Sequence, residues 1–232
     1  MKPNATTQDY LKKMPDLQRR TAERLLAETR PVEPVGSVLR QWLLWLVLAG
    51  LGSGLAVSIL KPQEGFWTQL LALPNGSFLL LLFAGSALAA WNGIASSMPG
   101  EGPGQAAVAW MVAVLAALVA IPLFFFTPDH LREVLDHDTA TGFFCFRTVV
   151  LLAIPSWVLL AWMASRNAPV RPGLSGFWLG VSAFLLGTGT VQVHCTHWET
   201  GHVLVNHLLP LAVFIALPIW VGSYWLSRWE RG

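Results

Sequence analysis

Eight side chains in this sequence carry soft-ligand or redox chemistry. They are two cysteines, Cys145 and Cys195, and six histidines, His130, His137, His194, His197, His202 and His207. The densest run is His194-Cys195-Thr196-His197-Trp198. Imidazole and thiolate together suit zinc, or copper as Cu(I) where sulfur is bound. A helix continuing through this run would place His194 and His197 on one face, at i, i+3 spacing. His202 and His207 are five apart and do not share a face of an α-helix. The spacing matches no standard zinc signature, and two cysteines without a CxxC exclude a disulfide scaffold or a four-cysteine module. There is no HExxH, no G-x-S-x-G and no GxxxxGK[ST] phosphate loop, so the expectation is a protein that is not an enzyme.

Those residues must be positioned by something other than a soluble core. Of 232 residues only 12% are charged, against about a quarter in soluble domains. Hydrophobic residues make up 54%, and the mean hydropathy is +0.52. A membrane-spanning helix needs roughly 20 apolar residues. Six stretches qualify: Trp42–Leu60, Phe78–Ser96, Ala106–Phe126, Phe143–Ala164, Gly173–Val193 and Val203–Leu226. The expected fold is all-α, an integral membrane bundle of six transmembrane helices over residues 41–232. A short polar arm, residues 1–40, precedes it and carries no cleavable signal peptide. Twelve of the fifteen Lys and Arg residues lie before the first span, between spans four and five, or after the sixth; Lys61, Arg132 and Arg147 lie on the other side. The positive-inside rule then puts both termini in the cytoplasm.

With that orientation all six histidines and both cysteines lie on the outer side. Cys145 begins span four and Cys195 ends span five, and the short inner turn between these spans makes them antiparallel neighbours. Nineteen steps from Cys145 to Ala164 and 22 from Gly173 to Cys195 correspond to roughly 28 and 33 Å, so the two sulfurs sit at similar height. A disulfide is geometrically open to them in an oxidising compartment, as are inert packing and a redox- or metal-responsive pair. His130 and His137 sit among Asp129, Glu133, Asp136 and Asp138, which read as a solvated turn or as hard ligands. No Asp or Glu falls inside a span, where ion-coupled transport usually needs one. Gly50 and Gly54 in span one would let another helix approach closely, from within the chain or from a second copy in a homodimer. Pro122, Pro155, Pro210 and Pro218 are expected to kink or locally unwind their helices.

In the arm, eight basic residues oppose five acidic ones. Pro15 and Asp16 can start a helix that runs to about Thr29, with Leu17, Ala22, Leu25 and Leu26 as a thin apolar stripe. So short a helix is marginal alone. It can fold in the groove of a partner, or rest with Arg19 and Arg20 on anionic lipid of the bilayer.

The pattern as a whole resembles the NrsF family, negative regulators of sigma factor F with six spans. The resemblance is carried by Gly142-Phe143-Phe144-Cys145-Phe146-Arg147, Ile154-Pro155, Ala168-Pro169-Val170-Arg171-Pro172, His194-Cys195, His207 and the Pro31-Val32-Glu33-Pro34-Val35 segment. It implies an anti-sigma factor in a bacterial inner membrane, with no direct contact to nucleic acid. Residues 1–40 would hold an ECF-type sigma factor, which places Leu17, Leu25, Leu26, Arg19 and Arg20 at that contact. It also implies that Cys145 and Cys195 sense oxidant or heavy metal, with His207 as an accessory ligand. His194, His197 and His202 join the candidate ligand set by position. The same outer cluster could instead serve a membrane metal-handling protein or a thiol-redox enzyme.

Overall fold

A computed structural model of the chain describes Gln18, Arg20, Thr21 and residues 36–100, 102–124, 139–167, 169, 171–195, 197 and 200–225. The chain divides into two compact units, Met1–Val35 and Gly36–Gly232. In the first, Gln18, Arg20 and Thr21 are helical and exposed. Leu17, Arg19, Leu25 and Leu26 lie outside the described residues, as do His130, His137 and the acidic residues around them.

The second unit is all-helical among its described residues. Helix α1 covers Val38–Leu60, α2 Phe66–Leu71, α3 Leu73–Ser96 and α4 Gln105–Phe124. They are followed by α5 (Thr139–Ser165), α6 (Pro172–His194), the single turn α7 (Thr200–His202), a π-helical segment (Val203–Leu208) and α8 (Pro210–Trp225). The starts follow local chemistry. The Ser37 hydroxyl accepts from the Arg40 N–H to cap α1. Proline opens α3 and α6, where its missing N–H costs nothing. Pro155 and Pro218 sit inside α5 and α8, which continue through them.

Among the described residues four helices are long and apolar enough to cross a membrane: Val38–Leu60, Asn75–Ser96, Gly142–Ser165 and Pro172–His194. The described apolar parts of the other two expected spans are shorter, Gln105–Ile121 and Phe214–Trp225. The chain is built inside out relative to a soluble protein. Leu51, Leu55, Ile59, Trp110, Leu151 and Trp220 project outward, whereas Ser86, Asn92, Ser182, Thr188 and Gln192 are buried. Water would penalise such an apolar surface, and hydrocarbon covers it without cost.

Helix α6 is the axis of the bundle. In its membrane-length stretch 83% of residues are buried, against 6% for α1, so α6 is central and α1 peripheral. Its small residues let neighbours close in: a methyl group at Gly187 would meet the Val149 carbonyl oxygen at 2.8 Å and the Ala153 nitrogen at 3.2 Å, both on α5. Helix α1 is tied on by a few directed bonds. Trp42 Nε1 donates to the Ala87 carbonyl (2.8 Å), and Trp45 Nε1 donates to Ser156 Oγ (3.3 Å). Gly50 and Gly54 face open space, so neither packs against another helix among the described residues.

Candidate metal centre

The close seating of α5 on α6 brings the cysteines together. Cys145, two turns into α5, and Cys195, which caps the C-terminus of α6, are both buried and are not joined in a disulfide. Their sulfurs lie 3.7 Å apart. Helix α6 stops there because Cys195 is extended (φ −69°, ψ 126°), although its N–H still closes the last turn on the Val191 carbonyl. That stop redirects the run that follows. His194 and His197 therefore do not share a helix face, contrary to the expectation from a continuous helix. His194 turns away and its Nδ1 lies 2.7 Å from the Lys61 carbonyl oxygen. His197 stacks on His202, with ring centroids 5.1 Å apart and planes at 27°.

A second correction concerns His202 and His207. Five residues apart on an α-helix they would point about 140° away from each other. Here the ladder shifts register: the Leu209 N–H bonds to the Leu204 carbonyl, an i to i+5 bond of 2.8 Å. Residues five apart then come round to nearly the same face. The two imidazoles meet at 5.2 Å between centroids. Pro210 supplies the cause, since it has no N–H for the Asn206 carbonyl and its ring would clash with it in α register. The Thr188 hydroxyl on α6 donates to the His207 carbonyl at 3.5 Å.

The outcome is one cluster of four buried side chains, Cys145, Cys195, His202 and His207, whose ligand atoms all lie within 4.8 Å of one another. The residue types and the spacing both fit a metal ion. A tetrahedral zinc site with Zn–S of about 2.3 Å has a sulfur–sulfur edge of about 3.8 Å, and its mixed sulfur–nitrogen edges are about 3.5 Å. The observed S···S separation is 3.7 Å, and Cys195 Sγ lies 3.5 Å from His202 Nε2. Only the wider pairs need to contract.

The surroundings orient the ligands. Asn206 Nδ2 lies 3.3 Å from His202 Nδ1, leaving Nε2 toward the sulfurs. Outer partners of this kind fix a metal-binding imidazole in place. Gly142 makes room for that amide, because a methyl group there would collide with the Asn206 side chain. A cavity of about 290 Å³, lined by Lys61, Gln63, Phe144, His194 and His197, opens onto both cysteines and offers an entry path. Arg147 is exposed and lies over the Phe144 ring at 5.7 Å. Of the six candidate ligands, four converge, His197 borders the cluster and His194 leaves it. Asn206 was not among them. Its legible signal is a polar residue one turn from His202 inside an apolar run.

The far end of the bundle carries a different polar group. Gln41 at the root of α1 and Asn167 in the α5–α6 turn exchange two bonds: Gln41 Nε2 to Asn167 Oδ1 (2.9 Å) and Asn167 Nδ2 to Gln41 Oε1 (3.0 Å). Asn167 Nδ2 also donates to Ser97 Oγ (2.8 Å), just past α3.

No curated protein and no solved structure matches the chain. Residues 25–229, nearly its whole length and including all four clustered side chains, match the sequence profile of one family. The chain belongs to the NrsF family, the negative regulators of sigma F.

Proposed function

We propose that this protein is a membrane-bound anti-sigma factor, and not an enzyme. It holds an ECF-type sigma factor through residues 1–40 and releases it when the Cys145/Cys195 centre takes up a soft metal ion or is oxidised. The observation that carries the sensing half is the buried four-residue cluster at tetrahedral ligand spacing. Family membership supports the regulatory half. In this reading six spans cross a bacterial inner membrane with both termini in the cytoplasm, and the cluster lies at the outer face. Two thiolates favour zinc or Cu(I) over hard cations. The same sulfurs can alternatively join as a disulfide in an oxidising compartment.

Transmission needs a state that metal binds better than the resting one. Drawing the wider ligand pairs inward moves α5, α6 and the π-helical segment relative to one another. Helix α6 runs from Cys195 to the turn that holds Asn167, and Asn167 holds the root of α1, where the arm begins. The joint between Gln41 and Asn167 is thus the place where a shift at the centre reaches the arm.

Full-length protein in detergent, used as bait in bacterial lysate, is expected to retain a sigma factor and to lose it on addition of zinc or Cu(I). The Cys145→Ser and Cys195→Ser variants are expected to retain it under both conditions. Failure to capture any sigma factor defeats the anti-sigma reading, and release from the serine variants defeats the sensing reading.

A further inference from the structure

We infer that Gln192 on α6 is a positioning residue of the metal centre: its side-chain carbonyl holds the outer ring nitrogen of His207 when an ion is bound, a role that rests on the reading of the cluster as a metal site. Gln192 is fully buried, at 0% exposure, and neither Nε2 nor Oε1 has a hydrogen-bond partner. A buried amide with both ends unpaired is penalised, and hydrocarbon offers no water to relieve it. A native structure keeps such a group where a ligand or a second state supplies the partner. Asn92, Ser96 and Trp178 also carry unpaired groups, but they lie toward the opposite ends of α3 and α6 from the cysteines.

The helical period places this amide beside the cluster. Thr188, Gln192 and Cys195 follow one another at i, i+4 and i+7 along α6 and share a face. Both flanking members of that series meet the π-helical segment. Thr188 Oγ1 donates to the His207 carbonyl at 3.5 Å, and the Cys195 sulfur lies within 4.8 Å of the ligand nitrogen of His207. The adjoining faces are taken by other helices, since a methyl group at Gly187 would meet α5 and one at Gly189 would meet the Phe83 ring on α3. The direction of the chain brings the side chains together. His207 lies by Thr188, Phe214 by Gly180 and Pro218 by Gly176, so the π-helical segment and α8 run antiparallel to α6. Helical side chains lean toward the N-terminus of their own helix. Gln192 therefore leans toward the level of Thr188, and the His207 ring leans toward the level of Cys195, so the two converge.

A metal-bound imidazole gives one ring nitrogen to the ion and presents the other as an N–H donor to an outer acceptor. For His202 that outer nitrogen is the one beside Asn206. For His207 the Gln192 carbonyl is the acceptor offered by the facing helix, and it fixes the tautomer without adding a charge. Metal binding then gives the amide its partner. This is a contact made in one state and not in the other, which a two-state switch requires.

The test uses full-length protein in detergent, stripped with a chelator. Zinc affinity is measured by competition against a chromophoric chelator, and the melting temperature is measured without metal. Gln192→Leu, an apolar side chain of similar size, is expected to bind zinc about tenfold more weakly, the lower end of the loss for an outer partner. Its melting temperature without metal is expected to equal or exceed that of the unaltered protein, because the amide it removes is unpaired. Gln192→Glu keeps an acceptor and is expected to bind zinc more tightly than Gln192→Leu. Undiminished zinc affinity in Gln192→Leu, a lower melting temperature in that variant, or weaker binding by Gln192→Glu than by Gln192→Leu each overturns the inference. Failure of the metal reading itself shows separately in the same titration, as no zinc binding by the unaltered protein.

Discussion

At one end of the bundle Cys145, Cys195, His202 and His207 crowd their ligand atoms within 4.8 Å; at the other, Gln41, Asn167 and Ser97 close a ring of amide and hydroxyl bonds of 2.8–3.0 Å. Both groups are polar and sheltered, yet their chemistry differs. The amide end is satisfied by its own side chains and gains nothing from a ligand. Thiols and imidazoles such as those of the other end make only weak hydrogen bonds to one another and are ligand types that suit a soft metal ion. In the proposed function one end is therefore a receiver, and the other is a joint whose strength is fixed by the fold. Helix α6, buried along nearly its whole length, connects them. The difference is sharpest where ligand identity matters, and the largest effect is expected there. Cys145→Ser should lower zinc affinity at least a hundredfold, roughly, because a hydroxyl does not supply the anionic sulfur that soft ions select. Competition against a chromophoric chelator measures it. A loss below about tenfold would mean that the cluster is a packed core and not a receiver.

The next effect tests the backbone rather than the ligands. Pro210→Ala restores an N–H for the Asn206 carbonyl and removes the clash that forces the π register. The segment can then close as α-helix, and His207 swings about 140° from His202. Zinc affinity is expected to fall by about thirtyfold, between the loss of a ligand and the loss of an outer partner. Protein stability should not fall, since a regular helix replaces a strained one. Unchanged affinity would show that contacts from α6, such as that of Thr188, hold the register without proline.

A smaller effect is expected one layer out. Asn206→Ala leaves all four ligands in place and frees the His202 ring to rotate, which should cost about tenfold in zinc affinity. Gly142→Ala acts on the same amide by displacement and should cost a similar factor. A drop in thermal stability with metal affinity intact would reassign both residues to packing alone.

The route to these residues shows what a linear sequence reveals about such a fold. The helices were legible because hydrocarbon demands long apolar runs, and the observed ends lie within a few residues of the expected ones for α1, α5 and α6. The similar height of Cys145 and Cys195 was legible too, because two antiparallel helices of known rise fix the height of their ends. Lateral placement was not, since it depends on Gly187 admitting α5 to α6. The histidine pairing failed for one reason, a uniform helical period. Spacing of five excludes a shared face only if the register is α throughout, and Pro210, three residues past His207, was the sign that it is not. His194 was misassigned for a related reason: the end of α6 at Cys195 depends on one extended residue, which composition does not signal. The Gln41–Asn167 pair joins residues 126 positions apart, and nothing local announces it.

The smallest effect expected is also the one that decides whether receiver and joint communicate. Coupling between two sites is reciprocal: if metal at the cysteines loosens the Gln41–Asn167 joint, then loosening the joint must favour metal. Gln41→Leu removes both bonds to Asn167 and leaves that amide its contact with Ser97. The direct cost is about 1 kcal/mol of stability, the ordinary value for a partly buried hydrogen bond lost with one partner remaining. Zinc affinity in the same variant should rise, by about threefold, a fraction of the 5–150-fold that allosteric coupling typically spans. The sign matters more than the size, because a substitution that merely damages the bundle would lower affinity. A rise places α6 on the path between the ends. An affinity equal to that of the unaltered protein would leave the amide joint a structural clasp, and the signal would have to reach the arm by another helix.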